Sequence, residues 1–272
     1  MHRRILVTGA GSGLGLATAC VLASLRFDVI GLVPDESERE ALLTSAADRQ
    51  VSVETIVADL SDPKRRAGLV SELKLWGLVN NAGYIGGGQV RDVSLDDARR
   101  QIETMVVAPV DLVHQALPWM LEHRQGRIVN VTSSAVHAST PLTGWYGACK
   151  AALRQLNDSL RVELVGCGID VIDIEPGGYR TAIWDRAIGE LKHRRPVTSR
   201  IDVYDRVISC VGSAQKRMGD PAEVAFAVAD VLTAGRPPRH KRIGPGADFL
   251  RLADRVVPDR VWDKAVAAAS GL

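Results

Sequence analysis

The sequence predicts an α/β fold, a doubly wound parallel sheet with helices on both faces. Three observations carry this. Short apolar runs alternate with longer stretches at helical spacing up to about residue 176, the pattern that βαβ units impose on a sequence. The runs are nearly continuous in apolar residues, as in Ile5-Leu6-Val7, and strands buried on both faces read that way. The first run passes directly into a glycine-rich turn. With 272 residues, 46% of them apolar, the chain is long enough for a large core.

The elements follow in order. Ile5–Val7 is the first strand, Gly9–Gly15 the glycine loop, and Leu16–Leu25 the helix after it. Asp28–Val33 is a second strand, and Pro34 and Asp35 open a polar helix to about Asp48. Val51–Ala58 is rich in β-branched residues and reads as a third strand ending at Asp59. A helix from about Asp62 to Leu75 and a strand Gly77–Asn80 come next, then one long helix from about Leu95 to Leu121. Arg127–Thr132 is a strand, Trp145–Val165 a long helix, and Ile169–Ile174 a strand. Beyond Pro176 the pattern loosens. A helix over 221–234, a short strand at 241–243 and one amphipathic helix over 246–270 complete the chain.

Composition excludes several classes of function. The formal charge of +2 is too near neutral to point to nucleic acid. Cys20, Cys149, Cys167 and Cys210 are far apart, as reduced thiols of a cytoplasmic protein are, rather than a disulfide frame. The six His show no metal-ligand spacing, so no metal is expected. No apolar run reaches the ~18 residues of a membrane span, and Arg3-Arg4 leads into a run too short for a signal peptide.

Thr8-Gly9-Ala10-Gly11-Ser12-Gly13-Leu14-Gly15 follows a strand and opens a helix, the setting in which such a loop holds a dinucleotide in a Rossmann-type fold. Gly9 permits a tight turn, Gly13 lets the backbone approach a pyrophosphate, and Gly15 allows close packing. The helix N-terminus offers free N–H groups and partial positive charge to phosphates. A glycine-rich turn with no ligand has the same local form.

Three further signals lie in order. Asn80-Asn81-Ala82-Gly83 ends the fourth strand, Ser133 follows the fifth, and Tyr146-Gly147-Ala148-Cys149-Lys150 opens the next helix. Pro176-Gly177-Gly178-Tyr179-Arg180-Thr181 follows the sixth strand. Singly these mean little. Together, in this order and spacing, they resemble the short-chain dehydrogenase/reductase family over residues 4–245. The glycine pattern fits the family's single-domain oxidoreductases, and the tail looks most like its hydroxysteroid- and retinol-type branch.

The resemblance implies a catalytic set of Ser133, Tyr146 and Lys150. Hydride transfer to a carbonyl leaves a developing alkoxide, which needs a proton. Tyr146 would supply it, Ser133 would bond the substrate oxygen, and Lys150, one helical turn beyond Tyr146, would stabilise tyrosinate and bind the nicotinamide ribose. The family often adds an Asn in the long fourth helix. The matching position here is Met105, which cannot make the polar contacts of an Asn.

By the same resemblance, Gly9, Ser12, Gly13, Leu14 and Gly15 hold the pyrophosphate. Asp59 and Leu60 face the adenine, and Asn81, Ala82 and Gly83 line the adenosine ribose. Pro176, Gly177 and Thr181 meet the nicotinamide end. Many NAD enzymes of the family carry Asp where this chain has Val33. Nothing basic stands near Ser12 or Pro34, while Asp35 and Glu36 would repel a 2′-phosphate, so NAD is favoured over NADP. Residues 178–217 fall where the family has a substrate lid; 180–217 carry nine Lys/Arg against four Asp/Glu. Trp145, Trp184 and Tyr179 are candidate walls of an apolar pocket.

The expected activity is NAD(P)-dependent interconversion of a secondary alcohol and a ketone on an apolar steroid-, retinoid- or lipid-like small molecule. A β-ketoacyl thioester reductase, suggested by the basic lid, and a catalytically weak redox sensor, suggested by Met105, are the alternatives. The family pairs its two long helices between subunits, so a homodimer or homotetramer is expected.

Overall fold

The structure is a computed structural model that describes residues 3–272. Seven parallel strands form one sheet in the order β3-β2-β1-β4-β5-β6-β7. They are β1 Arg4–Thr8, β2 Asp28–Val33, β3 Glu54–Val57, β4 Gly77–Asn80, β5 Gly126–Val131, β6 Ile169–Pro176 and β7 His240–Ile243. The strand order reverses between β1 and β4. Loops leaving these two strands at their carboxyl ends part to opposite faces and leave a crevice, where ligands bind in open α/β sheets.

Side chains alternate across the sheet. Ile5 and Val7 of β1 face a core shared with α1 (Gly13–Ser24) and α9 (Pro221–Thr233). Leu6 faces the opposite core, with Leu78 of β4 and Leu112 and Ala116 of α5 (Ala108–Glu122). Both faces are covered, which is why the strands read as apolar runs.

The remaining helices are α2 Glu36–Asp48, α3 Pro63–Arg66, α4 Leu95–Ile102, α6 Gly144–Glu163, α7 Ile183–Arg194, α8 Ile201–Gln215, α10 Ala247–Val256 and α11 Asp259–Ala269. Several expectations need correction. The helix expected over 62–75 is only the single turn of α3; Gly68 adopts φ +69°, a conformation that ends a helix. The long helix over 95–121 is interrupted by a π-helical turn, Glu103–Val107. The tail is two helices rather than one, because Pro258 lacks the N–H needed to continue α10 and instead precedes α11. The third strand is shorter than read, beginning at Glu54.

One feature was not foreseen. A buried polar chain crosses the sheet from Asn80 to Asn130 (2.8 Å) and on to Asn157 (2.8 Å) and Asp173. Asp173 and Glu175 of β6 are fully buried. Arg161 and His240 meet Asp173, and His137, Arg154 and His240 meet Glu175.

Candidate active site

At the carboxyl ends of the strands lies a cavity of about 1120 Å³. Gly9, Ser12, Gly13, Leu14, Asp59, Leu60, Asn81, Ala82, Gly83, Ser133, Tyr146, Lys150, Pro176, Gly177 and Thr181 all line it. Of the expected site residues only Gly15 stands behind the wall. Its α-carbon packs so closely on the Gly9 carbonyl that a Cβ would overlap it.

The glycine loop is built for close approach. Gly9 (φ +64°) and Gly13 (φ +54°) adopt left-handed backbone, which side chains resist. A Cβ on Gly9 would fall 2.9 Å from Ala82 Cα, and one on Gly13 would fall 3.1 Å from Thr181 Cβ. Asn81 fastens this arrangement, its amide donating to the Thr8 carbonyl at 3.0 Å. The Thr8 hydroxyl accepts from the N–H groups of Asn81 and Ala82, each at 3.0 Å. Ser12 precedes α1, and its side chain makes no capping bond. The first N–H groups of a helix have no partner within it, and here Gly13 and Leu14 at that end line the cavity. This cradle fits a dinucleotide pyrophosphate.

At the other end, Ser133 follows β5 and Tyr146 and Lys150 lie on one face of α6. The Ser133 hydroxyl accepts from Ala135 N–H at 3.1 Å. Burial raises the Tyr146 phenol above its ordinary pKa, and a hydrogen bond with Ser133 offsets part of the rise. Lys150 is buried, and desolvation brings its ammonium down to about 8. Its Nζ donates to the Val131 carbonyl at 2.7 Å and lies 5.8 Å from the Tyr146 ring centroid.

Met105 is buried within the π-helical turn. A Cβ on Gly83 would meet its Sδ at 3.1 Å and Lys150 Nζ at 3.5 Å, so Met105 does reach the active-site corner. Extra-residue turns of this kind occur often at functional sites.

Two readings of the cofactor end are corrected. Asp35 is spent capping α2, accepting from Glu38 N–H at 2.9 Å. Glu36 pairs with Arg39 at 2.9 Å on the exposed side. Neither lines the cavity; Pro34 and Glu38 do. Asp59 lines it, and its carboxylate also accepts from Ser61 N–H at 2.8 Å.

The far wall is apolar. Val207 and Val211 of α8, Leu250 of α10 and Trp262 and Val266 of α11 line it. Trp184 and Tyr179 line it as expected, and the Tyr179 hydroxyl is tied to Glu223 at 3.1 Å. Trp145 does not; its indole donates to Val90 O at 3.4 Å. Sequence reasoning missed Tyr84, which also lines the cavity, its phenol pushed up to about 12 by burial. It also missed that Asp158, Asp173 and His240 converge within ligand distance of one another. Arg161 bonds both carboxylates, so this group is an internal ion-pair network.

The fold and the cleft belong to a nucleotide-binding oxidoreductase, and the comparisons agree. The family model described as short chain dehydrogenase matches residues 3–190. The chain belongs to the short-chain dehydrogenase/reductase family, and is an NAD(P)-dependent oxidoreductase. It is 30% identical over 271 residues to the uncharacterized oxidoreductase YusZ of Bacillus subtilis, covering 97% of each chain. It is 29% identical to the NADPH-dependent 3-dehydrocapnine reductase of Ornithobacterium rhinotracheale, covering 96% of this chain and 95% of that one. Among solved structures, a short-chain dehydrogenase from Streptomyces avermitilis aligns with a TM-score of 0.77 at 26% identity, covering 98% of each chain. No helix among the described residues is long and apolar enough to cross a membrane.

Proposed function

We propose that this chain interconverts a secondary alcohol and a ketone on an apolar small molecule, with Tyr146 as the acid/base. The observation that carries the reading is the meeting of Ser133, Tyr146 and Lys150 in the same cavity as the glycine cradle. A bound nicotinamide dinucleotide supplies or accepts the hydride. Ser133 orients the substrate oxygen. Tyr146, its proton held by burial, donates that proton as negative charge develops on the oxygen. Lys150 places positive charge beside the phenol and offers donors to the nicotinamide ribose. The apolar wall of Val207, Val211, Leu250, Trp262 and Val266 takes the rest of the substrate and excludes water. Residues 178–217, within the one domain, act as the lid, and the protein works in the cytoplasm.

The test is a screen of secondary alcohols and ketones with both dinucleotides, following absorbance of the reduced nicotinamide. Turnover is expected, and its loss in Tyr146→Phe. Turnover that survives in Tyr146→Phe would remove the tyrosine mechanism. Absence of turnover across the panel would favour the redox-sensor reading, for which Met105 at the active-site corner speaks.

Part of the basic lid is committed within the chain. Arg186 pairs with Glu38, Arg194 with Asp97 and Glu190, Arg195 with Asp205, and Arg200 with Asp202. Arg180, Lys192, Arg206, Lys216 and Arg217 have no carboxylate partner among the described residues, so a β-ketoacyl thioester remains the second reading, and the same screen with acyl thioesters tests it.

A further inference from the structure

We propose that Glu38 and Arg186 form a latch that reads the 2′ position of the adenosine ribose and couples it to closure of the lid helix. The proposal rests on the cradle end of the cavity holding a dinucleotide, and it identifies which dinucleotide and by which residues.

The end of β2, where a ribose-reading carboxylate is expected, holds Val33. Asp35 and Glu36 are turned to other partners. Glu38 is the carboxylate of α2 that lines the cavity, and its place is enforced. It lies against Gly11, where any Cβ would overlap Glu38 Cβ and fall 2.7 Å from Oε2 and 2.8 Å from the Glu38 carbonyl oxygen. Gly11 stands outside the three glycines that the loop needs for a pyrophosphate. Its lack of a side chain makes room for Glu38.

From the other side of the cleft, Arg186 of α7 reaches across and donates to Glu38 Oε1 at 2.8 Å. The pair bridges α2 and the lid helix, and both residues line the cavity. Thr181, just before α7, rests on Gly13, so the lid touches the glycine loop at Gly13 and α2 at Glu38. Arg186 is 59% exposed and Glu38 only 15%. An ion pair open to solvent on one side is weak and exchanges readily.

The two dinucleotides differ at this point by one phosphate. A free 2′-hydroxyl donates to Glu38 and leaves Arg186 in place, so the lid stays latched. A 2′-phosphate brings close to two negative charges against Glu38 and competes for Arg186. The close to two charges of the phosphate, about 5 Å from one carboxylate in a water-like medium, interact with it by about 1.4 kcal/mol, so removing the Glu38 charge should change the NAD⁺/NADP⁺ preference about tenfold.

Wild type, Glu38→Gln and Arg186→Met would be titrated calorimetrically with NAD⁺ and NADP⁺. Amide hydrogen exchange of residues 183–194 would be followed with each dinucleotide. The expected result is tighter NAD⁺ binding by wild type and a shift of about tenfold toward NADP⁺ in Glu38→Gln. Arg186→Met, which keeps Glu38 and removes the competing cation, should shift the ratio further toward NAD⁺. In wild type NAD⁺ should protect α7 more than NADP⁺ does, and both variants should lose that difference. Circular dichroism checks that each variant is folded. An unmoved ratio in a folded Glu38→Gln, tighter NADP⁺ binding by wild type, or unchanged α7 protection in both variants would overturn the latch. Failure of wild type to bind either dinucleotide is a different result, because it removes the dinucleotide reading itself.

Discussion

Replacing Lys150 by Met keeps the length of the side chain and removes its charge. In the structure the ammonium donates to Val131 O at 2.7 Å and lies 5.8 Å from the Tyr146 ring. Burial raises the phenol above its ordinary pKa. A tyrosine that accepts a proton near pH 7 must be brought down by ~3 units from the ordinary ~10, about 4 kcal/mol of differential interaction. Lys150 and the oxidised nicotinamide are the two cations that can supply it. If they share it equally, Lys150→Met loses about 2 kcal/mol, or about 30-fold in alcohol oxidation at pH 7. The loss should shrink as pH rises, because the phenol then ionises unaided. The same ammonium gives a second readout. Its folded pKa is about 8, so the free protein carries the charge below that pH and loses it above. If the charge helps hold the dinucleotide, wild-type affinity should fall as pH rises through about 8, and the variant's affinity should be lower and flat. Oxidation rate and calorimetric affinity would be measured from about pH 6 to 10 for both proteins. A variant with wild-type affinity and an unshifted rate profile would mean that Lys150 does not act on Tyr146 in the working site.

Gly15→Ala should destabilise the fold by about 1–3 kcal/mol through overpacking on Gly9 and weaken dinucleotide binding, read by thermal melting and titration. Gly212→Ala, in α8 with nothing within 4 Å of the added methyl, should instead stabilise by about 1 kcal/mol through helix propensity; equal melting shifts for the two would refute the packing account. The exposed apolar residues Ile102 and Val107 beside α5, with Leu121 on it and Leu156 and Val162 on α6, should be covered in a homodimer or homotetramer, since twofold pairing is the commonest closed assembly. Light scattering at micromolar concentration checks this, and a monomer would count against it.

Much of the fold was legible because the sheet is covered on both faces. Ile5-Leu6-Val7 and Leu78-Val79 carry an apolar signal for that reason. What failed was continuity within helices. Residues 62–75 carry apolar spacing, yet Val70 and Leu75 reach the core through turns rather than a helix, and periodicity does not distinguish the two. The π-helical turn at Glu103–Val107 inserts an extra residue without disturbing composition, so the sequence reads as one helix. The buried Asn80, Asn130, Asn157 and Asp173 were invisible for a different reason. Each looks like an ordinary polar residue, and only the pairing of β4 with β5 and of β5 with β6, with α6 contributing Asn157, brings them into one chain of hydrogen bonds.

The site shows the same division more sharply. The expected site residues line the cavity, with Gly15 directly behind it, because a loop after a strand and a turn of helix fix local geometry. Charge selectivity escaped the reading because it depends on two elements far apart in the chain. Counting acids directly after β2 picked out Asp35 and Glu36 and passed over Glu38. In the structure Asp35 serves the backbone of α2, Glu36 serves Arg39, and Glu38 alone of the three lines the cavity. The sequence did contain one sign of this in Gly11. A glycine that the pyrophosphate turn does not require must answer to something else packed against it. Here that is a glutamate held in turn by an arginine of the lid, 148 residues further along the chain.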